Sequence, residues 1–199
     1  MEVSLIYLIG SLVLLWMPGY LYLTREGRER VSDSYGSNGL PLSRIVLAWQ
    51  NWMDAARGIA GAYGLTHLAI ALDSGVRETY YYGFAGVGVV LAIAIVMQVV
   101  YIRRHVFCLS PIFFVSGMIF VLVDWWIALY AVVVGLFFGR IINSSEGFFF
   151  CAAATVAVFG YLFHGIDIEW MLTSGLLFLP IVCSLTAQES LVVVIRRWT

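Results

Sequence analysis

The sequence predicts an all-α integral membrane protein: a bundle of about six transmembrane helices joined by short loops, forming one domain. Hydrophobic residues occupy 62% of the 199 positions and charged residues only 12%, whereas soluble domains carry about 25% charged residues. Several apolar runs reach the roughly 20 residues that a helix needs to cross a hydrocarbon core about 30 Å thick. Both observations place the chain in a bacterial inner membrane or an organelle membrane, with lipids as its first partners.

The first predicted span covers residues 3–23. Aromatic residues cluster toward its end, where an aromatic belt would meet the membrane surface. The N-terminus lacks the basic region and the small-residue cleavage site of a signal peptide, so we expect the span to be retained. The stretch that follows, TREGRERVSDSYGSNGLPL, is rich in Gly, Ser and Asn and is predicted to be a loop over residues 24–42.

Five further spans account for the other apolar runs. Ser43 can cap the second helix, Arg103 and Arg104 stop the third, and Pro111 suits the first turn of the fourth. The polar turns RIINSSE and HGIDIE separate the last three spans. The predicted spans are 43–72, 80–102, 111–138, 147–163 and 170–195.

The two polar turns carry capping signals. Asn143, with Glu146 three residues later, resembles a capping box for the fifth helix. Asp167 is well placed to cap the sixth helix. Both turns are therefore predicted to be short.

The fourth apolar run is unusually long. From Leu109 to Phe138 it would form about 45 Å of helix at 1.5 Å per residue. Its centre has no cluster of Gly, Pro or Asn that would support a hairpin. We therefore predict one helix, which either tilts strongly or projects beyond the hydrocarbon core.

Arginine positions predict the orientation of the chain in the membrane, and all eleven basic residues are arginines. With six spans and the N-terminus outside, six arginines fall in inner loops and four in outer segments. The positive-inside rule then favours an N-terminus outside the membrane. The inner six are Arg25, Arg28, Arg30, Arg44, Arg103 and Arg104, and the outer four are Arg77, Arg140, Arg196 and Arg197.

Three polar residues are candidates for a proton or cation site: Asp124, Glu189 and Gln98. Asp124 lies near the middle of the fourth run, where an acid costs about 2.5–3.5 kcal/mol. Alternatively, Trp125 and Trp126 belong to an aromatic belt and Asp124 lies near the headgroups. Alternatively, Glu189 lies at the membrane interface, and Gln98 forms a hydrogen bond between helices.

Metal and cofactor sites are weakly indicated. His164, Asp167 and Glu169 are possible ligands of a divalent metal, but turns between spans are polar in any case. In a six-span arrangement His67 and His164 lie at opposite faces, which argues against a haem held by two histidines. We expect no cofactor, although structural lipids are plausible.

Catalytic motifs are absent from the sequence. Ser116-Gly117 and Ser174-Gly175 lack the preceding glycine of an intramembrane hydrolase motif, and there is no Cys-x-x-Cys, His-Glu-x-x-His or phosphate-binding loop. The net charge of −1 provides no basic surface for nucleic acid. An enzyme is therefore the least supported class.

One polar stripe predicts a helix-docking face in the second span. Its members recur at steps of three and four residues, which places them on one side of a helix. Two of them, an acid and a base three residues apart, can neutralise one another in the membrane. We expect this stripe to face protein and not lipid. Its members are Gln50, Asp54, Arg57, Gly61 and Gly64.

Small residues at four-residue spacing predict close helix packing. The pattern occurs in three spans, at Ala56, Ala60 and Gly64, at Ala153 and Ala157, and at Gly135 and Gly139.

Two functions follow from these patterns. The first is a non-catalytic subunit that packs into a larger membrane complex, with other membrane subunits or a second copy of the chain as partners. The alternative is a proton or small-cation channel or transporter that uses the intramembrane carboxylates.

Overall fold

A computed structural model describes residues 2–17, 49–71, 77–103, 105–142, 144–188 and 191–192. Within these ranges the chain forms seven helices and three short strands. In chain order they are α1 (Glu2–Trp16), α2 (Trp49–Ala71), α3 (Arg77–Val99), β1 (Val100–Arg103), β2 (His105–Leu109), α4 (Ile112–Leu122), α5 (Trp125–Ile142), α6 (Ser145–His164), α7 (Ile168–Ala187) and β3 (Leu191–Val192).

Four helices are long and apolar enough to cross a membrane: Thr79–Val99 within α3, and the whole of α5, α6 and α7. They support the predicted membrane class, but six spans are not confirmed. In the described part of the chain, α1 and α4 are shorter apolar helices, and α2 is long but more polar. The predicted loop 24–42 and the adjoining residues 18–23 and 43–48 lie outside the described residues.

The first three helices alternate in direction. Tyr7, near the start of α1, stacks on His67, near the end of α2, and Leu15 meets Gly61 further along both helices. α2 and α3 are therefore joined at the end of the bundle where α1 begins. We call this the first end, and the opposite end, where α7 finishes, the second end.

The last three helices also alternate. Gly139 near the end of α5 meets Phe148 near the start of α6, while His164 at the end of α6 contacts Asp124 just before α5. Further along the chain, Ser174 of α7 donates a hydrogen bond to the Ala153 carbonyl of α6 at 3.2 Å. α7 consequently runs from the first end to the second.

A small sheet lies at the second end. β1 pairs antiparallel with β2, and β2 pairs parallel with β3, the strand that follows α7. The prediction of helix for residues 100–102 is therefore wrong, because these residues belong to β1. VYIR and HVFCL are rich in β-branched and aromatic residues, which favour strands. The predicted last span also ends early, since α7 stops at Ala187.

The prediction of one helix over residues 111–138 is wrong as well. α4 ends at Leu122, Val123 is extended (φ −135°, ψ 170°), and α5 begins at Trp125. The Asp124 carbonyl accepts the first hydrogen bond of the new helix from the Ala128 amide at 3.0 Å. Asp is a preferred residue directly before a helix. The helix therefore breaks at Val123 and Asp124, although this part of the run contains no Gly, Pro or Asn.

The core is formed where α2 to α7 meet, and Leu15 of α1 also belongs to it. α2 and α4 approach most closely at their glycines: a Cβ added at Gly58 would clash with the Phe114 carbonyl, and one at Gly117 with the Ala55 carbonyl. Such backbone contact is characteristic of tightly packed membrane helices. The largest fully buried side chains include Phe148, Phe149, Leu91, Ile95, Met118 and Ile127.

Candidate functional site

Two side chains of other helices cap the C-terminus of α1. The final carbonyls of a helix have no partner within it. The Arg57 Nε donates to the Leu14 carbonyl at 3.1 Å and its Nη2 to the Met17 carbonyl at 2.6 Å. The Gln98 Nε2 donates to the Leu15 carbonyl at 3.1 Å and to the Met17 carbonyl at 2.9 Å. We call this arrangement the α1 cap.

Arg57 is the charged centre of the α1 cap and is only 6% exposed. Its Nη1 forms an ion pair with the Asp54 Oδ1 at 3.1 Å, and its guanidinium lies 5.5 Å from the Phe114 ring centroid. A buried charge requires such partners, and the negative end of the α1 dipole favours a cation at this place. All three guanidinium nitrogens thus have partners: Nε and Nη2 bind the end of α1, and Nη1 binds Asp54 of the same helix.

The rest of the predicted docking stripe also lies against α1. A Cβ added at Gly61 would lie 2.5 Å from the Leu15 Cγ, and one at Gly64 would overlap the Ser11 hydroxyl. The Gln50 side chain lies outside what the structure describes. In the described residues, therefore, the stripe packs against a helix of the same chain.

Of the three candidates for an ion site, the two that the structure describes, Asp124 and Gln98, are not brought together. Asp124 lies at the first end, where its Oδ2 is 3.0 Å from the His164 Nε2. Its side chain is 48% exposed and that of His164 41%, so the pair is not in the core. Gln98 lies toward the second end in the α1 cap, and Glu189 lies outside the described residues. Among the described residues, therefore, Asp124 and Gln98 do not share a site.

The three candidate metal ligands have separate partners. His164 contacts Asp124, Asp167 accepts a hydrogen bond from the Ile168 amide at 2.6 Å, and Glu169 accepts one from the Tyr80 hydroxyl. Among the described residues no three His, Cys, Asp or Glu side chains form a metal-binding group. The prediction that Asp167 caps the last helix is confirmed.

The expected separation of two histidines is wrong. His67 stacks on Tyr7 with 5.3 Å between ring centroids and an angle of 16°. This contact lies at the first end of the bundle, as does His164. The chain reverses direction at Val123–Asp124. Each later helix therefore runs in the direction opposite to the one that six spans predict.

Sequence reasoning missed the role of Glu146. The N-cap of α6 is Ser144, whose hydroxyl accepts from the Glu146 and Gly147 amides, so the predicted capping box at Asn143 is wrong. The Glu146 Oε1 instead accepts from the Leu191 amide at 2.7 Å and from the Ser184 hydroxyl at 3.1 Å. It thereby joins α6, α7 and β3. Its partners are 38 and 45 residues away, so no local pattern could have revealed them.

An aromatic cluster adjoins the Asp124–His164 pair. The Trp126 ring meets the Phe163 ring edge-on at 4.7 Å, and Tyr130 stacks on Phe159 at 5.8 Å. Trp125, by contrast, is 70% exposed. These rings pack α5 against α6 at the first end of the bundle.

Comparison with known proteins adds no guide to the chemistry of these residues. No known protein family, no curated protein and no solved structure matches this chain.

Proposed function

We propose that the protein is a non-catalytic membrane subunit that packs against another membrane protein through the outer face of α2. This face is defined by exposed residues at helical spacing, with two alanines at its centre. The exposure of Ala56 and Ala60 on this helix is the observation that carries the proposal. The outer face comprises Trp52, Met53, Ala56, Ile59, Ala60, Tyr63 and His67.

The other two faces of α2 are already covered. Gly61 and Gly64 pack against α1, and Ala55 and Gly58 against α4. The third face is exposed although α2 is not one of the four described helices that are long and apolar enough to cross a membrane. Small side chains let a partner helix approach closely and gain van der Waals contact, whereas lipid chains gain little from them.

The interior polar groups support a structural role. Among the described residues, Arg57 and Gln98 cap α1, and Glu146 joins α6 to α7 and β3. Groups with these partners hold helices in place. A role in assembly fits this distribution better than catalysis.

The test is purification in a mild detergent followed by native mass spectrometry. We expect the wild-type chain to leave the membrane with a stoichiometric partner, either another protein or a second copy. The double variant Ala56→Leu/Ala60→Leu should reduce partner recovery by about tenfold, a loss of about 1.4 kcal/mol, because the added side chains hold the partner away.

The matched control is Ala154→Leu, which enlarges an exposed alanine on α6. It should leave partner recovery unchanged. A monodisperse wild-type monomer would contradict the proposed function. Equal partner recovery from the double variant and the control would contradict the assignment to the α2 face.

A further inference from the structure

The arginines are divided very unequally between the two ends of the bundle. By sequence position, nine of the eleven lie in segments attached to the second end. Segment 18–48 leaves Met17 and reaches Trp49 there, and it contains four arginines. The other five are Arg103 and Arg104 at the β1–β2 hairpin, Arg140 in the last turn of α5, and Arg196 and Arg197 after β3.

The first end is poor in arginine. Arg77, the first residue of α3, is its one arginine by sequence position. Acidic residues occur in the segments at both ends, and those at the first end include Asp124, Asp167 and Glu169. The remaining arginine of the chain, Arg57, is buried in the α1 cap.

This division follows from the break between α4 and α5. If residues 111–138 are counted as one span, six arginines fall on one side of the membrane and four on the other. The reversal at Val123–Asp124 instead adds one passage through the bundle. By sequence position, Arg140, Arg196 and Arg197 are consequently assigned to the same end as Arg103 and Arg104.

The dimensions of α4 allow such a passage. Its 11 residues extend about 16 Å at 1.5 Å per residue, about half the roughly 30 Å of α6, which has 20 residues. The β1–β2 hairpin precedes α4 at the second end, and the extended Val123 and then Asp124 follow it at the first end. The segment can therefore connect the sheet at the second end with the Asp124–His164 pair at the first.

We propose that the second end lies at the cytoplasmic surface of the membrane, where its arginines face anionic headgroups, and that the N-terminus lies on the other side. Arginines next to transmembrane helices are retained on the cytoplasmic side during insertion, and the negative surface potential of that leaflet attracts them. The two chain termini then lie on opposite sides of the membrane. A six-span chain would have both on one side.

The test uses the full chain in a bacterial host, with reporters at its C-terminus and impermeant maleimide labelling of intact cells. A C-terminal fluorescent protein, which matures in the cytoplasm, should be bright, and a C-terminal alkaline phosphatase should be inactive. Ile166 is 82% exposed in the turn between α6 and α7. In a background with Cys108, Cys151 and Cys183 replaced by serine, Ile166→Cys should be labelled from outside.

Ser37→Cys, in the polar stretch 24–42, is the matched control and should be labelled only after the membrane is opened. An active phosphatase fusion, or labelling of Ser37→Cys but not Ile166→Cys in intact cells, would overturn the proposed orientation. Labelling of Ser37→Cys and Ile166→Cys from the same side of the membrane would overturn the odd number of passages. The fusions leave the chain unaltered, so they remain informative even where a cysteine variant fails to fold.

Discussion

At the scale of single residues, Arg57 shows how a charge is accommodated among apolar helices. Its guanidinium meets two carbonyls at the end of α1 and the Asp54 carboxylate. The three-residue spacing of Asp54 and Arg57 indicated their ion pair from sequence alone. The carbonyl partners lie 40 and 43 residues away, so only the packing of α1 on α2 could supply them.

Replacing Arg57 should be strongly destabilising. In Arg57→Met the Leu14 and Met17 carbonyls and the Asp54 carboxylate each lose a donor, and breaking one side of a buried ion pair costs about 3–5 kcal/mol. Unfolding in mixed detergent micelles measures the change. The control Arg140→Met, at an exposed arginine, should alter the free energy of unfolding by less than about 0.5 kcal/mol. Equal effects of both variants would refute the α1 cap.

At the scale of elements, glycines determine how closely helices pack. Gly117 of α4 faces the Ala55 carbonyl of α2, whereas Gly175 of α7 has no neighbour within 4 Å of an added Cβ. Sequence patterns found several small-residue stripes, but they did not reveal which glycine faces a neighbouring backbone. That distinction depends on the rotation of each helix about its axis.

The two glycines should therefore respond oppositely to the same substitution. Gly117→Ala should lower the free energy of unfolding by about 1–3 kcal/mol, because the backbones of α2 and α4 must separate. Gly175→Ala should raise it by about 0.5–1 kcal/mol, because alanine favours the helix and meets nothing. The free energies of unfolding of both variants, measured in the same detergent, test this prediction. A stabilising Gly117→Ala would show that the two helices do not touch there.

At the scale of the whole molecule, Glu146 connects parts of the chain that are distant in sequence. It links the start of α6 to α7 and β3, and β3 completes the sheet at the second end. Loss of this carboxylate should therefore destabilise β3 as well as the start of α6.

In Glu146→Ala the Leu191 amide loses its acceptor, so its hydrogen exchange should accelerate by about tenfold, equivalent to about 1.4 kcal/mol. Exchange measured by NMR or mass spectrometry on the detergent-solubilised protein reports this directly. Glu169→Ala, which removes the partner of Tyr80 at the first end, should leave exchange at Leu191 unchanged. Unaltered protection in Glu146→Ala would contradict the link between α6 and β3.

The sequence by itself determined the helical membrane class and the approximate positions of α3, α6 and α7. Hydropathy and helix length are local properties, because each helix satisfies its own backbone hydrogen bonds. Tertiary structure decided the reversal at Val123–Asp124, the partners of Arg57 and Glu146, and the direction in which each described helix runs. These depend on contacts between residues far apart in the chain. One reversal, at a Val and an Asp, redirects every helix after it.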